Sequence, residues 1–336
     1  MPIKVYWMPI AESIARGYGR VSRQLAWALD SVGVQVLGPY ALGWDWLVIP
    51  STPFAGVLNR DGSVRSDVMF HTMFDADFLP PTWGHMLNRS GAIWVPSEWC
   101  RENFVNSGVH RPIFVAGYGV DPDDFPSADR SALADRPVTF LHPALAWGDR
   151  KNTMMVVKAW HKLGFKADQA QLIIKLNEGA IGKIGIKGME NVYCVKTDLS
   201  DKEWALLMQQ ADCMVYPSSG EGFGLMPLEF ACTGGLAIVT DYSGMTEYCH
   251  DVPMMTVEVK RIVPAKLYNG IYGAEGRWAE PDIDDLCDKM RHVVSNREMA
   301  WAMGRAAATR VRDAWTWKAA GMKARLELEA LTNGVD

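Results

Sequence analysis

A chain of 336 residues, nearly half of them apolar, is long enough to prefer two separately cored domains over one. Its formal net charge of −5 contains no long block of one sign, so charge announces neither a nucleic-acid surface nor an anionic-membrane patch, and a nucleic-acid partner stays open only through a local basic groove. The six cysteines form no CxxC and no cysteine–histidine ligand spacing, which fits a reduced, cytoplasmic setting, and no apolar run reaches membrane-spanning length.

The chain opens on an expected strand, Ile3–Met8, with no secretory leader pattern. A loop follows to Gly19, and apolar residues at Val21, Leu25, Ala28 and Leu29 predict a helix over Arg20–Leu29. Gly17, Tyr18 and Gly19 sit just before it in a weak glycine pattern. A dinucleotide site would need an acidic residue after the next strand, and Val34–Leu37 instead ends in Gly38-Pro39-Tyr40. These glycines are read either as lining a cleft or as a plain helix start. Strands are expected at Trp44–Pro50 and Asp67–His71. The second ends in His-Thr-Met-Phe-Asp, which puts His71, Phe74 and Asp75 at a carboxyl strand end, where open α/β sheets bind ligands. Then come a short helix at Pro80–Asn88, a strand at Ala92–Pro96, a helix at Glu98–Ser107 capped by Ser97, and a strand at Pro112–Ala116. Pro, Asp, Ser and Arg dominate Asp121–Pro137, so the domain boundary is expected there: 1–125 first domain, 126–137 linker, 138–314 second domain.

The alternation restarts with a strand at Val138–His142, a loop to Lys151 and a helix at Asn152–Leu163. Arg150 and Lys151 stand just before that helix. Two adjacent cations at a helix N-terminus suit a diphosphate, and the plain alternative is a solvated pair. Strands at Gln171–Lys175 and Asn191–Val195 and a helix at Ser200–Gln210 follow.

The most informative stretch is 211–247. A buried strand, Ala211–Tyr216, feeds a Ser- and Gly-rich turn, Pro217–Gly222, then a helix over Phe223–Cys232 and a second buried strand, Leu236–Thr240. A helix starting after a glycine turn points free amides and a positive dipole end into that turn, which makes a place for phosphate. Glu221 lies in the turn and Glu229 eight positions on, so a ligand with a diphosphate between two polyol rings, a nucleotide sugar, would use both. Val259–Arg277 reads as an irregular loop, Trp278–Asp282 as the opening of a helix, and Glu298–Thr332 as helical to the end.

Glu221-Gly222-Phe223-Gly224 with Glu229, followed by Asp241, Tyr242, Ser243, Gly244, Thr246 and Glu247, resembles the donor site of family 4 retaining glycosyltransferases of the GT-B fold. The runs HTMFDADFLPPTW, VPSEW and GVDPDDF are similar to that family as well. The resemblance implies an α/β fold of two Rossmann-like domains facing each other across a cleft, the last helix, about 315–336, crossing back to the first domain with Trp315 and Trp317 packed there. It implies that Glu229 holds ribose hydroxyls, that Glu221 and the amides of Phe223, Gly224 and Leu225 hold the sugar and its phosphate, and that His71 reaches donor sugar or acceptor. Gly17, Tyr18 and Gly19, with Phe74 and Asp75, would face the cleft; Asp75 replaces the usual glutamate. Lys151 matches a family lysine. Where the family has an arginine this chain has Leu145, and Arg150 or Lys175 is then the second cation. Thr197 and Asp198 end a strand where the base of a UDP- or GDP-sugar would be read.

The expected chemistry is transfer of a sugar, with retention, from a nucleotide-diphosphate sugar to a hydroxyl acceptor: a glycan, another glycoconjugate or a modified DNA base. No cofactor and no metal are expected, the leaving group being neutralised by Lys151, Arg150 and the helix start. With no side-chain nucleophile facing the sugar, front-face substitution is implied, and closure of the domains would exclude water. The rival readings are a nucleotide-sugar epimerase or phosphorylase, a non-catalytic nucleotide-sugar-binding module, and a dinucleotide-dependent oxidoreductase.

Overall fold

Two parallel six-stranded sheets, each in its own unit, organise the protein. The computed structural model describes residues 2–9, 16–38, 41–144, 150–176, 186, 189–265 and 276–334. One compact unit comprises residues 1–119 with Gly276 and 315–336; the other comprises 120–272 and 277–314.

The first unit contains β1 (Lys4–Trp7), α1 (Arg16–Ser31), β2 (Gln35–Leu37), β3 (Trp46–Pro50), β4 (Arg65–His71), α2 (Pro81–Leu87), β5 (Ser90–Val95), α3 (Glu98–Asn106) and β6 (Ile113–Val115). The strand order is β2-β1-β3-β4-β5-β6, all parallel. The central strands β3 and β5 are buried along their whole length, as apolar runs covered on both faces must be. Ser97 caps α3 by accepting from the Cys100 amide at 3.2 Å. α1 begins at Arg16 rather than Arg20, so Gly17, Tyr18 and Gly19 belong to its first turn and are not a loop. Amides of a first turn need no intrahelical partner, which is why glycines there do not stop the helix.

The second unit contains β7 (Val138–Pro143), α4 (Thr153–Leu163), β8 (Ala170–Lys175), β9 (Val192–Val195), α5 (Asp201–Gln209), β10 (Cys213–Tyr216), α6 (Leu225–Cys232), β11 (Leu236–Thr240), β12 (Met255–Val257), β13 (Val259–Pro264), β14 (Arg277–Pro281), α7 (Ile283–Ser295) and α8 (Arg297–Ala314). Its main sheet runs β12-β11-β10-β7-β8-β9, again parallel. Ser200 and Glu203 form a capping box at the start of α5. The core beneath the sheet gathers Val138, Phe140, Val156, Trp160, Leu172 and Ile174 from the first strands and helix, with Val215, Ile238, Leu286 and Met290 from later ones.

Three further expectations change. The stretch read as an irregular loop supplies β13, which pairs antiparallel with β14; residues 266–275 between them lie outside the described residues. The helix expected from Trp278 begins only after Asp282, whose carboxylate accepts from the Asp284 amide at 2.7 Å. The terminal helix is broken: α8 ends at Ala314, Thr316 is extended and caps α9 (Trp317–Asn333) through the Ala319 amide at 3.2 Å. α9 packs on α1 within the first unit, as the resemblance implied; Trp317 is buried and Trp315 half-buried.

The segment whose composition reads as a linker is anchored in the second unit. Arg130 is 2% exposed, and its guanidinium donates to the carbonyls of Ala211 (2.7 Å), Thr233 (2.6 Å) and Met208 (3.1 Å) and to Thr233 Oγ1 (2.9 Å). Composition cannot register that one arginine ties the segment down.

Candidate functional site

In the second sheet the chain goes outward from β7 to β8 and β9 on one side and to β10, β11 and β12 on the other, so the strand order reverses between β7 and β10. Loops leaving the carboxyl ends of two such strands part and leave room for a ligand. The loop after β7 brings Arg150 and Lys151; the loop after β10 brings Glu221.

These three side chains meet. Glu221 Oε1 lies 2.7 Å from Arg150 Nη1 and accepts a bond from Lys151 Nζ. It also accepts from Ser218 Oγ at 2.6 Å and Tyr216 Oη at 2.9 Å. Lys151 Nζ donates to Tyr216 Oη as well and lies 4.3 Å from the centre of its ring. The cluster is buried: the side chains of Glu221, Lys151 and Arg150 are 8%, 5% and 11% exposed. Burial by itself would raise the Glu221 carboxyl, but the charges of Arg150 and then Lys151 outweigh it and hold the group well below the usual carboxylate range. Arg150 and Lys151 are therefore not a solvated pair.

Backbone contacts fix the two loops to each other. Arg150 Nη1 donates to the Gly220 carbonyl at 2.5 Å, and the Ser219 amide donates to the Arg150 carbonyl at 2.8 Å. Asn152, in the left-handed region at φ 55°, reaches the Pro217 carbonyl (2.7 Å) and Ser219 Oγ (2.8 Å) through Nδ2. Beneath them His142 is fully buried between the Val215 carbonyl (2.8 Å) and Thr153 Oγ1 (3.0 Å).

α6 starts at Leu225, two residues later than its expected start, because Gly224 stands at φ 81° as its N-cap. A Cβ there would lie 2.7 Å from Met245 Cγ. Tyr248 Oη donates to the Gly224 carbonyl at 2.5 Å and its ring packs on Phe223. The Glu221 amide donates to Ser243 Oγ at 3.0 Å and its carbonyl accepts from the Gly244 amide at 2.9 Å, so the two sequence motifs at 221–229 and 241–247 are physically one loop pair. Among the described residues no side chain caps α6. Glu229 lies inside this helix and is 3% exposed.

Lys175 ends β8, and its Nζ donates to the Leu176 carbonyl at 2.5 Å. Thr197 and Asp198 follow β9; Thr197 is exposed and Asp198 half-buried. Lys175, Thr197 and Asp198 thus lie at the carboxyl edge of the same sheet as the charged cluster. Leu145 lies outside the described residues.

In the first unit His71 closes β4 and is fully buried, its ring 4.9 Å from Trp94 and 6.1 Å from Trp7. Nε2 is 3.3 Å from Tyr118 Oη, and burial lowers the imidazole to about 3, so it is neutral. Phe74 is buried edge-on to Trp83, and Asp75 is half-buried. Gly19 is buried.

Sequence reasoning passed over Tyr216, Ser218, Asn152 and His142. Ser218 carried a signal, a hydroxyl three residues before an acid in a turn. Asn152 carried another, an asparagine at a helix start, where the left-handed region is tolerated. His142 and Tyr216 look like ordinary strand residues. Asp241, Cys249 and His250 form the one group among the described residues with a metal-like donor set, their ligand atoms within 4.8 Å of one another. His250 Nε2 is bonded to Asp241 Oδ1 at 2.8 Å, and burial pushes the Cys249 thiol up to about 12.

Residues 186–323 match the family described as Family 4 Glycosyltransferase in conflict systems. Among solved structures, the fold is similar to sucrose-phosphate synthase from Thermosynechococcus elongatus (TM-score 0.72, 14% identity, 99% of each chain covered). It is also similar to Anabaena HepE in complex with UDP-glucose (TM-score 0.60, 13% identity, 78% of this chain and 72% of that one). A third likeness is to α,α-trehalose 6-phosphate synthase from Burkholderia multivorans (TM-score 0.60, 14% identity, 95% and 76%). No curated protein matches the chain. The fold is GT-B, and the resemblance to family 4 glycosyltransferases read from residues 221–247 stands.

Proposed function

We propose that the protein is a retaining glycosyltransferase that moves a sugar from a nucleotide-diphosphate sugar to a hydroxyl acceptor. The observation that carries this reading is the buried meeting of Arg150 and Lys151 with Glu221 at the strand-order reversal, beside the start of α6. Three charges, two positive and one negative, leave a net positive site walled by protein, where an added anion is stabilised more than it would be in water.

In this reading the diphosphate of the donor takes over hydrogen bonds that Arg150 and Lys151 now give to Glu221, and the amides of Phe223, Gly224 and Leu225 complete its shell. Glu221, relieved of part of its cation partnership, accepts from hydroxyls of the transferred sugar. Glu229 accepts from the ribose, and Thr197 and Asp198 border the base. Lys175 supplies a further positive charge at the same edge. The glycosidic C–O bond to phosphate breaks as the acceptor oxygen bonds the anomeric carbon on the same face, and the departing phosphate oxygen takes the acceptor's proton. Catalysis is then positioning and charge stabilisation, with His71 contacting sugar or acceptor and Gly17, Tyr18, Gly19, Phe74 and Asp75 on the acceptor side. Protein cations meet the leaving charge, so turnover is metal-independent and survives chelation.

UDP-sugars are the first donors to test, since Anabaena HepE is described in complex with UDP-glucose. The matched family is described as acting in conflict systems, so hydroxymethylated-base oligonucleotides belong in the acceptor screen beside glycans and small glycosides. The test is a thermal-shift screen of UDP- and GDP-sugars followed by mass spectrometry of products. A nucleotide-sugar shift abolished by Glu229→Ala, together with a product heavier by one sugar, is expected. A shift that survives Glu229→Ala removes the donor-site assignment; release of an isomerised nucleotide sugar without acceptor replaces transfer with epimerisation.

A further inference from the structure

We propose that Asp241, Cys249 and His250 form a binding site for a zinc-like divalent transition-metal ion, held by a carboxylate oxygen, a thiolate and an imidazole nitrogen with water in the fourth place. The site shares no residue with the cluster of Arg150, Lys151 and Glu221, and the inference does not rest on the reading of that cluster.

The three ligands close the neck of one loop. Asp241 directly follows β11, and its amide donates to the Val257 carbonyl of β12 at 3.0 Å, so the sheet fixes this end. The chain then makes a turn of 3-10 helix at Ser243–Glu247. Beyond it the Cys249 amide donates to the Met245 carbonyl at 3.0 Å, and the Asp251 and Val252 amides donate to the Tyr248 carbonyl at 3.0 and 2.8 Å. Met245 and Tyr248 are fully buried, which seats the loop on its own unit. Backbone bonds thus hold both ends, and the three ligand atoms come within 4.8 Å of one another before any ion binds. Little chain entropy is left to lose on binding.

Access and donor chemistry both suit an ion. Cys249 is a free thiol and 4% exposed, whereas the side chains of His250 and Asp241 are 60% and 39% exposed, so an ion reaches the site from solvent through these two. Bonds of about 2.0–2.3 Å to a tetrahedral zinc place neighbouring ligands roughly 3.3–3.7 Å apart, a contraction that rotation of the two exposed side chains supplies. His250 Nε2 already lies 2.8 Å from Asp241 Oδ1, the two atoms sharing one proton.

On binding, the ion takes the place of that proton. In a neutral His250 the proton passes through water to Nδ1, and the Cys249 thiol gives its proton to the buffer as the metal–sulfur bond forms. The doubly charged ion, one thiolate and one carboxylate then sum to zero, which suits a half-buried site. Sulfur with imidazole selects zinc over magnesium or calcium, which prefer all-oxygen shells. The clipped loop also carries Ser243 and Gly244, which bond the Glu221 amide and carbonyl, so the ion braces the turn that holds Glu221 and takes no part in the transfer step.

The test takes the full-length protein without an affinity tag, strips it with a chelator and titrates it with Co2+. A thiolate-to-cobalt charge-transfer band in the near ultraviolet is expected, with the strong visible bands of a four-coordinate ion. It should saturate at a single ion per chain, disappear when Zn2+ is added and persist in excess Mg2+. Cys249→Ser should remove the charge-transfer band, and Cys194→Ser should keep it. His250→Ala and Asp241→Ala, which alter exposed side chains, should each weaken Zn2+ by more than about tenfold, the scale set by losing even an outer-shell partner. Zn2+ should raise the Tm of the wild type and not that of His250→Ala. Absence of the charge-transfer band in the wild type, its survival in Cys249→Ser, displacement by Mg2+, or an unchanged Zn2+ affinity in His250→Ala overturns the proposal. Should Cys249→Ser fail to fold, His250→Ala decides alone. None of these readings needs turnover, so failure to find a sugar donor counts against the transferase reading and leaves the metal site standing.

Discussion

Lys151 and Glu221, 70 positions apart, are joined in a buried ion pair because β7 and β10 are neighbours in the sheet. The carboxylate also holds Arg150, so removing it takes a shared counter-charge from two buried cations. Glu221→Ala should destabilise the second unit by about 3–5 kcal/mol, and Glu221→Gln, which keeps an acceptor, by less. Urea unfolding checks this; equal stability of Glu221→Ala and wild type would mean that the pair is not buried as described.

Gly224 occupies φ 81° with Met245 Cγ 2.7 Å from where a Cβ would be. Gly224→Ala is expected to cost about 1–3 kcal/mol in strain and to displace the start of α6. Thermal unfolding reads the first effect. Loss of the nucleotide-induced thermal shift at concentrations that saturate the wild type reads the second.

His71 and His142 are buried neutral, lowered by burial to about 3 and about 4 from an ordinary value of 6.5. Below pH 6.5 the unfolded chain binds protons at these positions that the native protein refuses, so stability must fall as pH drops from 6.5 towards 3–4. Glu221 adds loss in the acid range: its native value is depressed, so its contribution, complete above the unfolded value near 4.5, fades as pH falls through the native one. Denaturation midpoints between pH 7 and pH 4 should decline, and His142→Gln, though less stable at pH 7, should decline with a shallower slope. An unchanged slope in that variant would show that His142 titrates normally.

Arg130→Lys tests the anchoring of the segment before β7. Lysine keeps the charge but lacks the planar fork that serves the carbonyls of Ala211, Met208 and Thr233 together. A loss of about 2–4 kcal/mol is expected, close to that of Arg130→Ala. If lysine restored wild-type stability in a denaturant titration, charge alone would be holding the segment.

Much of this protein is legible along the chain because its determinants are local. Strand–helix alternation follows from apolar periodicity. The turn before α6 follows from Ser and Gly chemistry, and Glu221 and Glu229 are recognisable from their spacing around a helix start. Several errors of the reading are errors of ends: glycine at 17 and 19 did not delay α1, Gly224 delayed α6, and Thr316 broke a run whose composition was helical throughout. The β13–β14 pair, read as loop and helix start, is an error of type, because its pairing joins segments apart in the chain. Only the tertiary structure decided that Arg150 and Lys151 share one carboxylate, that Tyr216 and Ser218 complete its shell, that Arg130 ties down a linker-like stretch, and that His71 is sealed among Trp7, Trp94 and Tyr118. The reason is physical. Propensity and capping act over a few residues, whereas the environment of a charge or an imidazole is set by which strands lie side by side, and that order is a property of the assembled sheet.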